Sequence, residues 1–434
     1  MKYIILPLVF FFYTLAMVLA IIFLFPVYWL RAQLTGKDKH GLWQRVGCIP
    51  KKIFRSTGYI WFHAVSAGEV KAAVPVICAF IGKNPVAVSV GTETGYKMVR
   101  EHFGDAVDVF YLPMDFFGTL GRLFHHMQPK ALVIVETEIW PALILLAHKR
   151  AVPVLMINGR MPPKVFKSYH SMRWFWKYIF PMYAKLLVQS DIEAEMFVAC
   201  GAEEGKIAVY GNTKYDVYAQ KKEDDRKERI AKLFANRPMG KKVIIIGSTH
   251  RGEEELIFEA LESLYIYAYF ILAPRHIERC DEITKILDAY ELTYERRSGG
   301  KLLWDKDVIL WDTMGELDVL YAFGDIVCVG GSWIPQGGHN IIEPAVWAKP
   351  IVVGPYMHNF QEIFEVFNRH DAIVQAPAES LMEYMSELIT DDARRAVLAK
   401  NARACVDMNA GSTTQYVDAI TAAIAPRKKM RKKA

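Results

Sequence analysis

Apolar segments of strand length alternate with helix-prone stretches along most of this chain. Such segments lie at residues 59–63, 85–90, 107–112, 131–135, 153–157 and 186–189, and again at 242–246, 268–273, 308–310, 326–329 and 350–353. Alternation of this kind is typical of parallel, doubly wound α/β sheets. A charged, helix-prone stretch at residues 219–237 separates the two series. We therefore expect two Rossmann-like domains with a cleft between them, and ligands at the carboxyl ends of the strands.

The N-terminal segment predicts a membrane anchor. No charged residue occurs from residue 3 to residue 30, a run long enough to cross a bilayer core of about 30 Å. It is also longer than the apolar core of a signal peptide, about 7–15 residues. Pro7 and Pro26 leave a kinked or interfacial helix open. Basic residues cluster after the run, so the positive-inside rule predicts an inner-membrane anchor with the globular body in the cytoplasm.

Charge and cysteine usage narrow the possible partners. The net charge is +6, and residues 427–433 supply much of it. That basic tail is either solvated or in contact with anionic membrane lipids. No nucleic-acid-binding motif accompanies the charge, so nucleic acid is not an expected partner. The six cysteines are scattered without paired spacing, and structural zinc is not expected.

A glycine-rich segment at residues 327–344 predicts a nucleotide-sugar site. It places two glycine pairs, at 330–331 and 337–338, after a buried strand. Glycine lets the backbone approach a ligand closely. A helix that starts near Asn340 would direct free N–H groups at a phosphate. Glu343, one turn into that helix, could accept hydrogen bonds from sugar hydroxyls.

Three charged positions in the first half are candidates for chemistry. Glu69 opens a helix after a strand, and is either an ordinary helix-start carboxylate or a general base whose pKa burial would raise. Glu136 and Glu138 share one strand exit, where an unpaired buried carboxylate is costly; a helix cap is the alternative. Lys214 either neutralises a phosphate or carboxylate or is a solvated lysine in a turn.

The second half offers further candidates for phosphate binding. Residues 247–253 superficially resemble a phosphate loop, but the Gly-Lys-Ser/Thr ending is missing, which excludes a Walker ATPase. The Gly-Ser-Thr segment of this loop could still contact a phosphate. Arg275 follows Pro274 at a strand end and suits bidentate phosphate contact. Glu316 either binds a base or ribose or caps a short helix.

Residues 160–180 mix basic and aromatic side chains. Phe166, His170, Arg173 and Lys177 are spaced as one helical face. Met172, Phe175, Trp176 and Ile179 are spaced as another. The segment is either an ordinary amphipathic helix with a core face or a surface that binds membrane or anionic lipid.

Six of these segments together resemble the lipid A 3-deoxy-D-manno-oct-2-ulosonic acid (Kdo) transferases. They are residues 63–69 (His-Ala-Val-Ser-Ala-Gly-Glu), 136–141 (Glu-Thr-Glu-Ile-Trp-Pro), 211–216 (Gly-Asn-Thr-Lys-Tyr-Asp), 274–276 (Pro-Arg-His), 312–317 (Asp-Thr-Met-Gly-Glu-Leu) and 330–343. The resemblance runs from the anchor to about residue 415. The family often has Ser where this chain has Asn212, which could shift a hydrogen bond near Lys214.

The resemblance implies a membrane-anchored GT-B glycosyltransferase that needs no metal or other cofactor. Such an enzyme transfers Kdo from CMP-Kdo to a tetraacylated lipid A precursor, lipid IVA, with inversion. It implies Glu69 as general base, with assistance from Glu136 and Lys214. The residues that would hold CMP are Pro274, Arg275, Met314, Gly315, Glu316, Asn340, Ile341, Ile342 and Glu343.

The expected domain limits follow from the uncharged N-terminal run, the charged stretch between the two series of strands, and the extent of the resemblance. They are an anchor at 1–34, an acceptor-binding domain at 35–216, a linker at 217–240, a CMP-sugar-binding domain at 241–415, and a helix end with the basic tail at 416–434. A nucleotide-sugar epimerase of the same fold and a non-catalytic sugar-nucleotide sensor are the alternatives. A sensor would tolerate the loss of Glu69.

Overall fold

The computed structural model describes residues 10–19, 22–23, 26, 29–30, 41–219, 225–300, 302 and 304–425. The chain divides into two compact units. The first comprises residues 1–217 and 410–434, and the second comprises residues 218–409. Each unit is built on its own seven-stranded parallel sheet.

The first sheet has the strand order β3-β2-β1-β4-β5-β6-β7. Its strands are β1 (Ile60–His63), β2 (Val86–Val90), β3 (Asp108–Tyr111), β4 (Ala131–Val135), β5 (Val154–Gly159), β6 (Lys185–Val188) and β7 (Ile207–Val209). The helices that go with it are Leu42–Arg45, Ala67–Cys78, Glu93–Phe103, Phe117–Met127, Pro141–Lys149, Pro163–Ser171, Arg173–Ile179, Asp191–Ala199, Thr213–Ala219 and Ser412–Ile424.

Alternate side chains of the central strands pack in two separate apolar layers, one on each face of this sheet. Trp61 of β1 packs in one layer, and Ile60 and Phe62 pack in the other. All three are fully buried. A parallel sheet must bury both faces, which explains why the central strands read as continuous apolar runs in the sequence.

The helix Ser412–Ile424 returns the chain to the first unit. Tyr416 and Ile420 are fully buried in the same layer as Ile60. The carboxylate of Asp216 accepts hydrogen bonds from the backbone N–H groups of Gly411 (2.5 Å) and Thr413 (2.6 Å). Sequence analysis did not foresee this return, because the segments that meet are almost two hundred residues apart. The domain limits stated above stay predictions.

The second sheet has the order β10-β11-β9-β8-β12-β13-β14. Its strands are β8 (Lys242–Thr249), β9 (Ala268–Pro274), β10 (Tyr294–Arg296), β11 (Val308–Leu310), β12 (Ile326–Val329), β13 (Ile351–Val353) and β14 (Val374–Gln375). Its helices are Asp225–Phe234, Glu254–Leu261, Cys280–Ala289, Leu317–Leu320, Ile342–Val346, Gln361–Arg369, Ala378–Thr390 and Asp392–Asn409.

Each sheet has a switch point, where the order of winding reverses. In the first unit it lies between β1 and β4, and in the second between β8 and β12. Open parallel sheets bind ligands outside the carboxyl ends of the strands at such a point. The segments that follow these four strands are therefore where a site is expected in each unit.

The expectation of two parallel α/β domains is confirmed, but one helix was predicted wrongly. Residues 160–180 do not form a single helix, because the backbone leaves helical geometry at Met172 (φ −101°, ψ 22°). The break places His170 and Arg173 on different helices. On the second helix Phe175, Trp176 and Ile179 are buried as expected, whereas Met172 is 40% exposed.

The predicted membrane anchor is not supported by the part of the chain that the structure describes. Within the described residues, no helix combines the length and the apolarity that crossing a membrane requires. Much of the expected anchor at 1–34 lies outside the described residues.

Residues 10–19 of that segment form a helix that packs against the first unit. Phe10 is buried in the core, and its ring lies 6.0 Å from that of Phe117. The Tyr13 hydroxyl donates a 2.7 Å hydrogen bond to Asp115, which also accepts from the backbone N–H groups of Ala142 and Leu143. Asp115 therefore ties the N-terminal helix to the start of the helix Pro141–Lys149.

Candidate active site

In the first unit, Glu69 lies in the first turn of the helix that follows β1, beside the switch point. Ser66 is the N-cap of that helix, and its hydroxyl donates to Glu69 Oε1 at 2.8 Å. The backbone N–H of Val65 donates to Glu69 Oε2 at 2.6 Å. The Ser-x-x-Glu spacing is that of a capping box. These two hydrogen bonds, one to each oxygen, hold the carboxylate in one orientation.

Burial sets the acidity of Glu69. Its residue surface is only 9% exposed. Loss of solvent raises the pKa of its carboxyl to about 7, although the Val65 N–H and the Ser66 hydroxyl act in the opposite direction. The neighbouring carboxylates of Glu138 and Glu136 add to the increase. A carboxyl with a pKa near 7 can accept a proton at neutral pH, which general-base catalysis requires.

Glu136 reaches the same place from the end of β4, the strand on the other side of the switch point. Its backbone is left-handed (φ 59°), a costly conformation outside glycine that is often found at functional sites. Its carboxylate accepts a 2.7 Å bond from Arg160 Nε. The structure thus brings Glu69, Glu136 and Glu138 together, and Arg160 is a neighbour that sequence analysis did not assign to the site.

Lys214 lies in the first turn of the helix Thr213–Ala219, which is fixed to the end of β5. The side-chain oxygen of Asn158 accepts from the N–H of Thr213 at 3.1 Å. Asn212 accepts from the N–H of Lys214 at 2.9 Å and donates to Gln189 at 2.9 Å. This network orients the backbone at Lys214, and Asn212, the position that departs from the family pattern, is part of it.

In the second unit, the buried carboxylate of Glu253 organises the switch point. Its Oε2 accepts from the backbone N–H groups of His250 (3.1 Å) and Gly331 (2.7 Å). Its Oε1 accepts from those of Ser332 (3.0 Å) and Trp333 (2.9 Å). Burial raises the pKa of this carboxyl, and the four N–H donors oppose the increase. Glu253 therefore joins the loop after β8 to the glycine-rich loop after β12.

Glycine is required where these two loops meet. A side chain at Gly330 would put its Cβ 2.7 Å from the carbonyl oxygen of Ser248. Trp333, in the glycine-rich loop, also has a structural role here. It is 5% exposed, and its indole N–H donates to the carbonyl oxygen of Ala376 at 2.9 Å.

Three histidines lie close to Arg275, in the loops that follow β8, β9 and β12. The Nε2 atoms of His250 and His339 are 2.8 Å apart with parallel rings, and the His276 ring lies 5.7 Å from that of His250. The pKa of His339 is lowered to about 4, chiefly by burial and in smaller part by the charges of His250, Arg275 and His276. Arg275 is a permanent cation, and a neutral His339 still carries one N–H donor, so this cluster suits an anionic ligand.

The segment that follows His339 differs from the expectation in one respect. The helix comprises only Ile342–Val346, and the N–H of Ile342 is bound by Asn340 Oδ1 at 3.1 Å. The predicted free N–H groups at a helix start near Asn340 are thus replaced in part by an internal bond. Glu343 lies in the first turn as predicted, and its carboxylate accepts from Asn340 Nδ2 at 3.2 Å.

Of the remaining predicted contacts, Met314 and Gly315 lie at an exposed turn, with Gly315 left-handed (φ 76°). The Glu316 carboxylate accepts from Trp311 (3.1 Å) and Thr313 (2.6 Å). Pro274 ends β9, and the N–H of Arg275 donates to the carbonyl oxygen of Thr249.

Within the described residues, no group of three or more His, Cys, Asp or Glu side chains could hold a metal ion.

Comparisons with known proteins decide the family. Residues 40–217 match the family model for the N-terminal domain of 3-deoxy-D-manno-octulosonic-acid transferases. The chain is 31% identical over 379 residues to the 3-deoxy-D-manno-octulosonic acid transferase of Bordetella pertussis, covering 83% of this chain and 86% of that one. The chain belongs to this Kdo transferase family.

Two further likenesses agree with that assignment. The corresponding transferase of Haemophilus influenzae is 29% identical, covering 88% of this chain and 89% of that one. A solved glycosyltransferase from Rickettsia africae superimposes with a TM-score of 0.55 at 15% identity, covering 86% of this chain and 100% of that one, which shows the fold alone. The chain is thus a glycosyltransferase whose two α/β units resemble those of GT-B enzymes.

We predict that Glu253→Gln destabilises the second unit. Glutamine keeps one acceptor oxygen, so two of the four N–H donors would face an amide nitrogen. Leaving buried donors unpaired should lower the free energy of unfolding by about 3 kcal/mol. Chemical denaturation of the variant and the parent would measure this loss. The exposed Glu259→Gln on the same helix is the control, and equal behaviour of the two variants would contradict the prediction.

Proposed function

We propose that this Kdo transferase transfers Kdo from CMP-Kdo to a lipid A precursor, lipid IVA, with inversion at the anomeric carbon. The observation that carries the proposal is the carboxylate of Glu69, held by Val65 and Ser66 beside the switch point with a pKa near 7. Family membership supports the sugar that is transferred. An inverting transfer needs one base on the acceptor hydroxyl and stabilisation of the departing phosphate.

In the proposed reaction, Glu69 removes the proton from the acceptor hydroxyl. The hydroxyl oxygen forms a bond to the anomeric carbon of Kdo while the bond from that carbon to the CMP phosphate breaks. The electron pair of the broken bond leaves with CMP, and the proton ends on Glu69. One displacement reverses the configuration, so no covalent sugar–enzyme intermediate is required.

Glu136 and Lys214 assist this step in the proposal. The 2.7 Å bond from Arg160 to Glu136 supports a charged pair that would position the acceptor. The network of Asn158 and Asn212 that fixes the start of the Lys214 helix supports a lysine with a defined backbone position. A lysine ammonium is suited to offset the carboxylate of Kdo or the charge on the leaving phosphate.

CMP is proposed to bind in the second unit. Arg275, surrounded by His250, His276 and His339, would meet the phosphate. The other predicted CMP contacts are Pro274, Met314, Gly315, Glu316, Asn340, Ile341, Ile342 and Glu343. Glu316 and Glu343 each retain acceptor capacity beyond their internal bonds, which a ribose hydroxyl or a cytosine amine could use.

We expect Glu69→Gln to bind CMP normally and to transfer no Kdo. The amide keeps the size of the side chain but cannot accept a proton at neutral pH. Mass spectrometry of the product formed from purified lipid IVA and CMP-Kdo would measure transfer, and calorimetry would measure CMP binding. Glu101→Gln, an exposed glutamate of the same unit, serves as control. Near-normal transfer by Glu69→Gln would exclude the general-base role and favour a sensor or another base.

The pH dependence of transfer should report the pKa of Glu69. Because its folded-state pKa is about 7, the carboxylate fraction falls tenfold per unit below pH 7, and kcat/KM should fall with it. Measurement of kcat/KM from about pH 5 to 9 would locate this limb. Glu138→Gln removes one charge that raises the pKa of Glu69, so its limb should lie at lower pH. A limb near the ordinary glutamate value in the parent enzyme would refute the assignment.

We propose that the enzyme acts at the cytoplasmic face of the inner membrane. The uncharged run at residues 3–30 and the basic residues after it support this location. So do the exposed apolar side chains Phe11, Phe12, Leu15 and Leu19 of the N-terminal helix. We expect the full chain in a bacterial host to sediment with inner membranes and to resist protease added to intact spheroplasts. Digestion under those conditions, or recovery free of membranes, would contradict the proposal.

A further inference from the structure

The first unit contains an open apolar pocket of about 760 Å³ that the mechanism above does not use. Three separate segments line it. The N-terminal helix supplies Phe12, Tyr13 and Met17, the loop after β4 supplies residues 137–141, and the two helices after β5 supply Val165 and several aromatic side chains. Apart from Thr137, Glu138 and the polar edges of the aromatic rings, these lining side chains are apolar.

The pocket is held open by buried structure. On one wall the Tyr13 hydroxyl is bound to Asp115, and Phe10 is buried in the core beneath it. On the opposite wall the rings of Tyr169 and Trp176 pack with their centroids 4.5 Å apart. Because both walls are anchored to the core, the space between them belongs to the folded first unit.

One end of the pocket is lined by Glu138, whose charge acts on the proposed catalytic group, Glu69. A molecule with its apolar part among the aromatic rings would have its polar end beside Glu138.

The charges and the apolar rim around the pocket indicate the class of ligand. Lys164, Lys167, Arg173 and Lys177 are exposed on the two helices that form the aromatic wall. Trp174 is 56% exposed on the same wall, and Phe11 and Phe12 are 61% and 58% exposed on the other side. Apolar side chains at the mouth with cations beside them suit an anionic amphiphile. At roughly 30 Å³ per water-sized group, the volume admits on the order of 25 methylene groups.

We propose that this pocket holds an acyl chain of the acceptor, and that the helix at residues 10–19 forms one of its walls. The inference rests on the proposed function, since the acceptor is taken to be a lipid. It adds a specific role for the N-terminal segment, which then contributes to acceptor recognition in addition to any contact with the bilayer. It also predicts that removal of acyl chains weakens acceptor binding with no effect on donor binding.

The decisive variant is Val165→Phe, which places a ring in the pocket from the helix Pro163–Ser171. Each buried methylene strengthens binding about fourfold, so the loss of a few should raise the KM for lipid IVA at least tenfold. The KM for CMP-Kdo, the kcat and the thermal midpoint should stay near those of the parent. Ser168→Phe makes the same kind of change on an exposed position of the same helix and should alter none of these values.

An assay with the acceptor stripped of its acyl chains distinguishes the possible outcomes. Parent and Val165→Phe should use the deacylated disaccharide with equal, low efficiency. An unchanged KM for lipid IVA in Val165→Phe would overturn the proposal. Loss of vesicle binding with an unchanged KM would also overturn it, because the occupant would then be a membrane phospholipid.

A direct measurement keeps the pocket testable whether or not transfer is observed. Trp140, Trp174 and Trp176 line the pocket, so stearate labelled with bromine, below its micelle concentration, should quench part of the tryptophan fluorescence of the parent in a saturable manner. Val165→Phe should reduce this quenching, and Ser168→Phe should retain it. Absence of saturable quenching would refute the acyl-chain site, whereas absence of Kdo transfer by the parent would refute the proposed function.

Discussion

Each unit depends on a buried glutamate that folds back on the backbone just after the first strand of its sheet. Glu69 follows β1, and Glu253 follows β8. Both carboxylates lie at the switch point of their sheet, where open parallel sheets bind ligands. A carboxylate in such a place is costly unless N–H or O–H donors surround it. The number of donors then decides what the carboxylate can do.

Glu253 has four backbone N–H donors, so its hydrogen-bonding capacity is largely used in joining two loops. Glu69 has one backbone N–H and one hydroxyl, and other carboxylates lie nearby. Burial, to which the neighbouring carboxylates add, raises the pKa of Glu69 to about 7. Its oxygens keep acceptor positions beyond these two bonds. The same device therefore yields a structural clamp in one unit and a proposed base in the other.

Sequence patterns located most strands because the central strands are buried on both faces. The strands that sequence analysis missed are β7, β10 and β14, and all three lie at sheet edges. Each has only two or three residues and carries partly or fully exposed positions. An edge strand needs little apolar content, so it leaves a weak signal. The break at Met172 was missed for a related reason, since apolar spacing cannot register a local change of backbone direction.

Sequence analysis proposed site residues mainly where the residue type itself suggests a chemical role. Glu69 was singled out as a carboxylate that opens a helix after a strand, and the family resemblance supplied its role as a base. Arg275 was singled out because arginine suits phosphate. Glu253 was not identified as a site residue, because sequence analysis considered it only as part of a segment that does not match a phosphate loop. Asp115, Arg160 and the histidine cluster were missed because each acts through partners distant along the chain.

The sequence by itself determined the fold class, the number of sheets and the family, because these depend on local periodicity and on short motifs. Only the tertiary structure decided that burial raises the pKa of Glu69 to about 7 and that four backbone donors occupy the carboxylate of Glu253. It also decided that the helix at residues 10–19 packs beside the aromatic wall of a pocket. The physical reason is that burial and hydrogen-bond partners arise from segments brought together by folding, and no pattern within one segment specifies them.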